Sequence, residues 1–82
     1  MARRFEITNN IRKLRFFANE MTQQELAEKA SISRQTVIAV EAGKYSPSLE
    51  LAFRISDAFR VKITEVFDYK VENETGTLNQ KG

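Results

Sequence analysis

Among its 82 residues the chain has no cysteine and no histidine. The first absence removes disulfides and thiolate metal sites; the second removes the usual imidazole ligand and the commonest general base. Neither a metal nor any other cofactor is expected. Asp57, Glu65 and Asp68 are scattered carboxylates without a base or nucleophile beside them, so no enzyme is expected either. Long apolar runs are missing too. The longest has four residues, Val37 to Val40, and the basic amino terminus lacks the apolar stretch of a secretory signal. A soluble, cytoplasmic protein without a membrane partner is the expectation. There is no internal repeat and no low-complexity tract, and a chain this short makes one small domain with a limited core.

Charge of one sign is also scarce, with a formal net charge of +2. Its distribution is less even. Residues 1 to 47 hold eight Lys and Arg against five Asp and Glu, whereas residues 48 to 82 hold five against six. The first half is the more anion-facing part.

What is present is a run of helical patterns. Ile11, Leu14, Phe17 and Ala18 recur at helical spacing after Asn9 and Asn10, either of which can accept a backbone N–H, and predict a helix from about Asn10 to Ala18. Thr22 precedes Glu25 by three residues, a capping-box spacing, and Leu26, Ala27 and Ala30 form the apolar face of a second helix. Ser33 caps a third, with Val37 and Val40 inward and Gly43 at its end. After the loop Lys44 to Pro47, a fourth helix follows Ser48 with Leu49, Leu51, Ala52, Ile55, Ala58 and Phe59. A short fifth, beginning near Thr64, carries Ile63, Val66 and Phe67. Residues 4–8 and 67–71 alternate apolar and polar residues as half-buried strands do, and are expected to pair beside the helices. Residues 72–82, with Leu78 as their one large apolar member, read as a flexible tail.

The second and third helical patterns have about two turns each, too short to persist alone, so each must be held by packing across a tight crossing. Ala27 is the small residue at that crossing, with Leu26, Ala30, Ile32, Val37 and Val40 filling the space beneath. Ser31 occupies the turn, where a left-handed backbone favours glycine. With the inner face assigned, Arg34, Gln35, Ile38 and Ala39 fall on the outer face of the third helix.

Taken together, the segments MTQQELAEKA, SIS, RQT, VEAGKYSPSLELA and ITEVFDY resemble the Cro/CI-type (Xre) helix-turn-helix family, particularly its small single-domain repressors, over roughly residues 11–69. The resemblance implies an all-α, five-helix lambda-repressor-like DNA-binding domain, with room for a two-stranded antiparallel pairing of the termini. On this basis residues 1–71 form the DNA-binding domain, with the helix-turn-helix at 23–42 and the tail at 72–82. It also implies a homodimeric transcriptional regulator, a repressor reading a palindromic operator in double-stranded DNA through the major groove. No small-molecule effector is expected.

Within that frame Arg34 and Gln35 are the leading base readers, since arginine can bond guanine and glutamine adenine bidentately. Thr36 either touches DNA or covers the helix start. Ile38 departs from the asparagine often found in relatives that share SRQT; it either packs on a thymine methyl or is covered by neighbouring protein. Ala39 is too short for more than a methyl contact. Gln23 and Gln24 stand where a helix start favours an anion, and phosphate contact is expected of at least one. Ser33 either caps the third helix or reaches a phosphate. Lys44, Tyr45 and Ser46 match family positions that meet the DNA backbone. Arg15 and Glu41 match a pair that is often an internal salt bridge in the family. The turn from Ala18 to Met21 is one residue longer than in many relatives.

Adjacent Phe16 and Phe17 cannot both face one core, and one is expected to cover the terminal strands. Phe53, Phe59, Phe67 and Tyr69 cluster late in the chain. Phe59, Ile63, Phe67 and Tyr69 are the expected dimer contact, with an ordinary core as the alternative. A second functional class remains open at this point: an antitoxin-like protein-binding module that also binds DNA. The lack of amphipathic spacing in the tail weighs against it.

Overall fold

The structure is a computed structural model that describes residues 3–73, with side-chain surroundings from Phe5 to Val71. In chain order the elements are β1 (Arg3–Asn9), α1 (Ile11–Phe17), α2 (Gln23–Ala30), α3 (Arg34–Glu41), α4 (Leu49–Phe59), α5 (Ile63–Val66) and β2 (Phe67–Asn73). The strands pair antiparallel, so the described residues form five helices with a two-stranded ribbon rather than helices alone. Each strand runs further than the alternation suggested, and β2 reaches Asn73. The remainder of the expected tail lies outside the described residues.

Every helix contributes to one core. Ile11 from α1, Leu26 from α2, Val37 and Val40 from α3, Ile55 from α4 and Val66 from α5 are the largest fully buried side chains. Small residues let the helices approach: Ala27 and Ala30 of α2 and Ala52 of α4 are also buried. Deleting or enlarging a side chain in such a dense core is costly, because its neighbours cannot relax freely.

Local signals place the helix ends. At α2 the Thr22 hydroxyl accepts the Glu25 N–H at 3.0 Å, while the Glu25 carboxylate accepts the Thr22 N–H at 2.8 Å. Ser33 and Ser48 accept the Thr36 and Leu51 N–H groups at 3.0 and 3.1 Å. Each such cap satisfies an otherwise orphaned donor and contributes about 1 kcal/mol. At α3, Gly43 takes φ +77° and the Lys44 N–H returns to the Ala39 carbonyl at 3.0 Å, closing the helix. Ser31 adopts the left-handed conformation at φ 59° without being glycine.

The turn after α1 uses two consecutive left-handed residues, Asn19 and Glu20, and the Met21 N–H folds back to the Arg15 carbonyl at 2.8 Å. The two asparagines before α1 divide the work. Asn9 caps, accepting the Ile11 N–H at 3.0 Å, and its amide donates to the Val40 carbonyl at 3.0 Å. Asn10 ties instead to α5, through its side chain to the Glu65 carbonyl and its N–H to the Val66 carbonyl.

The ribbon register sets Phe5 opposite Val71, Ile7 opposite Tyr69 and Asn9 opposite Phe67. Because side chains alternate, Phe5, Ile7, Tyr69 and Val71 share one face, and Glu6, Thr8, Asp68 and Lys70 share the other. Phe67, at the base of the apolar face, packs on the core. The outer four are exposed, and the Phe5 and Tyr69 rings stack at 5.9 Å.

Phe16 and Phe17 correct an expectation. Neither is buried: they are 63% and 70% exposed and contact each other edge to face at 5.4 Å. The reason is helical geometry, since Ile11, Leu14 and Ala18 take the inner side of α1 and turn positions 16 and 17 outward.

Candidate nucleic-acid interface

Helices α2 and α3 pack across Ala27, which is 1% exposed, and the turn between them is held from outside. The Ile32 N–H donates to the Ala27 carbonyl at 2.9 Å, and Arg54 of α4 donates to the Ser31 carbonyl at 3.1 Å while pairing with Glu50 at 2.7 Å. The role of Arg54 at the turn was not foreseen; its i,i+4 spacing from Glu50 was the available signal. The two helices are thereby fixed relative to each other, which is what a rigid recognition surface requires.

With Val37 and Val40 buried, the exposed side of α3 carries Arg34, Gln35 and Ile38. Arg34 and Gln35 make no hydrogen bond or ion pair with other described residues, so their donors and acceptors are available to a ligand. Thr36 is half-buried, and its hydroxyl lies 2.7 Å from that of Ser33. Ser33 is thus committed to the helix cap. Ile38 is 39% exposed and borders a groove formed with α1; Ala39 is half-buried.

At the start of α2 the two glutamines behave differently. Gln23 donates to Glu41 Oε1 at 3.3 Å, whereas Gln24 reaches along its own helix to Glu28 at 3.1 Å. Their backbone N–H groups, the first two of α2, have no partner among the described residues and add positive character to the helix start. Lys44, Tyr45 and Ser46 are all exposed in the loop after α3, at the opposite end of that helix from Arg34.

Arg15 and Glu41 form a bidentate pair, with Nε to Oε1 at 3.1 Å and Nη2 to Oε2 at 2.8 Å. Arg15 also donates to the Met21 carbonyl at 2.8 Å. One arginine therefore joins α1, the turn before α2 and the last residue of α3. Both side chains are largely shielded, so removing one would strand the other's charge. Asn9 reinforces the same junction by donating to the Val40 and Glu41 carbonyls, a role that local spacing did not indicate.

The residues expected at a dimer contact are not equivalent. Phe59 and Phe67 pack partly against their own core and Ile63 is half-buried, while Tyr69 is 58% exposed. Among the described residues no group of His, Cys, Asp and Glu is arranged to hold a metal, and no helix is long and apolar enough to cross a membrane.

A helix-turn-helix family model matches residues 11–66, the whole span from α1 to α5. The chain belongs to the Cro/CI-type helix-turn-helix family. It is 50% identical over 60 residues to an uncharacterized HTH-type transcriptional regulator of Methanocaldococcus jannaschii, covering 71% of this chain and 91% of that protein. Similar matches join it to an HTH-type regulator of Methanothermobacter thermautotrophicus, at 54% identity over 57% of this chain and 70% of the other. Another joins it to the regulator YgzD of Bacillus subtilis, at 46% over 63% and 79%. This helix-turn-helix protein is accordingly a DNA-binding regulator and not an enzyme. The matched span begins after β1 and stops before β2, so the ribbon lies wholly outside what the family model describes.

Proposed function

We propose that the protein is a sequence-specific, homodimeric regulator, in its simplest form a repressor that occludes a promoter by binding a palindromic operator. The observation that carries the reading is the outer face of α3, where Arg34 and Gln35 are exposed, with side chains unpartnered among the described residues, on a helix whose other side is locked into the core. Arg34 and Gln35 read base edges, and Ile38 and Ala39 offer apolar contact to a thymine methyl. Thr36 and Ser33 shape the helix start, with any DNA contact secondary to their mutual hydrogen bond. Gln23, Gln24, Lys44, Tyr45 and Ser46 meet the backbone on either side, which gives affinity and register rather than sequence choice. With few polar readers, selectivity draws also on DNA shape and on dimer spacing.

The dimer places two α3 helices about 34 Å apart on one face of the duplex. Its contact involves Ile63, Phe67 and Tyr69, with Phe59 behind them, and the exposed apolar face of the ribbon supports a protein partner on that side. No effector is required. The DNA-binding unit spans residues 1–71.

A binding titration on genomic fragments at moderate salt tests the reading. A small set of sequences should bind well above the rest; equal affinity for every fragment would reject specific regulation.

A further inference from the structure

The inner side of α1 is taken up by Ile11, Leu14 and Ala18 against the core and by Arg15 against Glu41. Its outer flank carries Arg12, Lys13 and Phe16, all exposed and none needed by the core. Arg12 stands between two concave surfaces. On one side it lines a cleft with Gln23, Gln24 and Arg34; on the other it lines a groove with Phe16 and Ile38. Both concavities adjoin residues at the start of α2 and on the outer side of α3.

Charge decides what the cleft accepts. Three arginines, Arg12, Arg15 and Arg34, line it with one carboxylate, Glu41. That carboxylate is already engaged: Oε1 accepts from Arg15 and Gln23, and Oε2 accepts from Arg15. Among the described residues Arg12 and Arg34 have no ion-pair partner and the Gln23 and Gln24 N–H groups no acceptor, so the cleft gathers two guanidinium groups beside two backbone N–H donors. This donor set fits a phosphate oxygen. The neighbouring groove is different in kind, with the Phe16 ring and Ile38 offering apolar surface flanked by Arg12 and Lys13. Alternating cationic and apolar surface beside a groove-inserting helix matches a sugar–phosphate backbone, which presents charge and carbon in turn.

We propose that α1 is a third DNA-contacting element, in which Arg12 donates to a backbone phosphate seated in the cleft and Phe16 packs on the adjoining sugar. The inference rests on the DNA-binding reading and adds to it a contact outside the helix-turn-helix itself. Arg12 acts as a positioning residue: it sets how α3 lies in the groove and carries no sequence information.

The test is a fluorescence-anisotropy titration of the full chain across a KCl series, against its best-bound duplex and an unrelated duplex of equal length. Arg12→Gln should weaken both duplexes by a similar factor, about three- to tenfold, and lower the salt slope by about one, with the ranking of sequences unchanged. Phe16→Ala should weaken binding about two- to fivefold with the slope retained. Lys70→Gln removes the same charge on β2, outside both concavities, and should change the slope little. Unaltered melting temperatures would show that the variants fold.

Wild-type affinity and slope in Arg12→Gln, or an equal loss in Lys70→Gln, would overturn the role of α1 while leaving the DNA-binding reading intact. Displacement of DNA by inorganic phosphate beyond the effect of KCl at equal ionic strength would assign the cleft to free phosphate instead. Absence of salt-dependent binding by the wild type to any duplex would remove both readings together.

Discussion

The two ends of this molecule treat apolar residues in opposite ways. From α2 to α4, Leu26, Val37, Val40 and Ile55 are fully buried, and the solvent side of α3 begins with Arg34 and Gln35. In the ribbon, Phe5, Ile7, Tyr69 and Val71 face solvent together on one side of a two-stranded sheet. A helix crossing buries its apolar stripe within one chain, whereas a two-stranded ribbon has two faces and here only the Phe67 end is covered by the core. The first surface is polar, cationic and suited to an anion. The second is apolar and suited to protein. On the proposed function, the contrast separates reading from assembly within a single small domain.

Five variants sharpen that contrast. The largest effect is expected from Glu41→Ala, which leaves the shielded Arg15 guanidinium unpaired at the junction of α1, α2 and α3 and should cost on the order of 3 kcal/mol. Chemical denaturation should show it as a lower midpoint at unchanged m-value. A loss no larger than that of an exposed pair such as Arg54–Glu50 would demote the junction to surface decoration.

Next in size is the effect on reading. Arg34→Ala should remove about 1 to 3 kcal/mol of discrimination between cognate and unrelated DNA, whereas Lys44→Ala should weaken all sites alike and reduce the salt slope by about one. Competition titrations check both, and the reverse pattern would exchange their roles.

Assembly is addressed from the ribbon. Tyr69→Glu places a charge on the exposed apolar face and should shift sedimentation from dimer toward monomer while leaving helical circular dichroism in place. An unaltered dimer would move the contact elsewhere. The smallest effect belongs to Gly43→Ala, where no atom lies within 4 Å of the added methyl and only the positive φ opposes it. A loss of about 1 kcal/mol is expected in thermal unfolding.

Much of the fold was legible because its signals are local. Thr22 with Glu25, Ser33, Ser48 and Gly43 each act within a few residues of themselves, so their spacing alone located four helix ends. The period-two alternation marked both strands, though short of their ends. Asn9 and Asn10 were indistinguishable as caps, because what separates them is the distant Val40 and Glu41 carbonyls for one and the Glu65 carbonyl for the other. Phe16 was visible as an excess aromatic, yet its place beside Ile38 depends on how α1 crosses α3. Arg12 lacked any local signal that set it apart from an ordinary solvated cation.

By itself, the order of residues determined which segments are helices, where α2, α3 and α4 start and α3 stops, and which side of α3 is apolar. Capping, periodicity and left-handed turns are decided within one or two turns of chain. Tertiary structure alone decided that Gln23 joins Arg15 on Glu41, that Arg12 and Arg34 share one cleft, and that the ribbon's apolar face stays uncovered. Those outcomes depend on the angles at which packed helices cross, and the crossing angles are set by the jointly buried core rather than by any one segment.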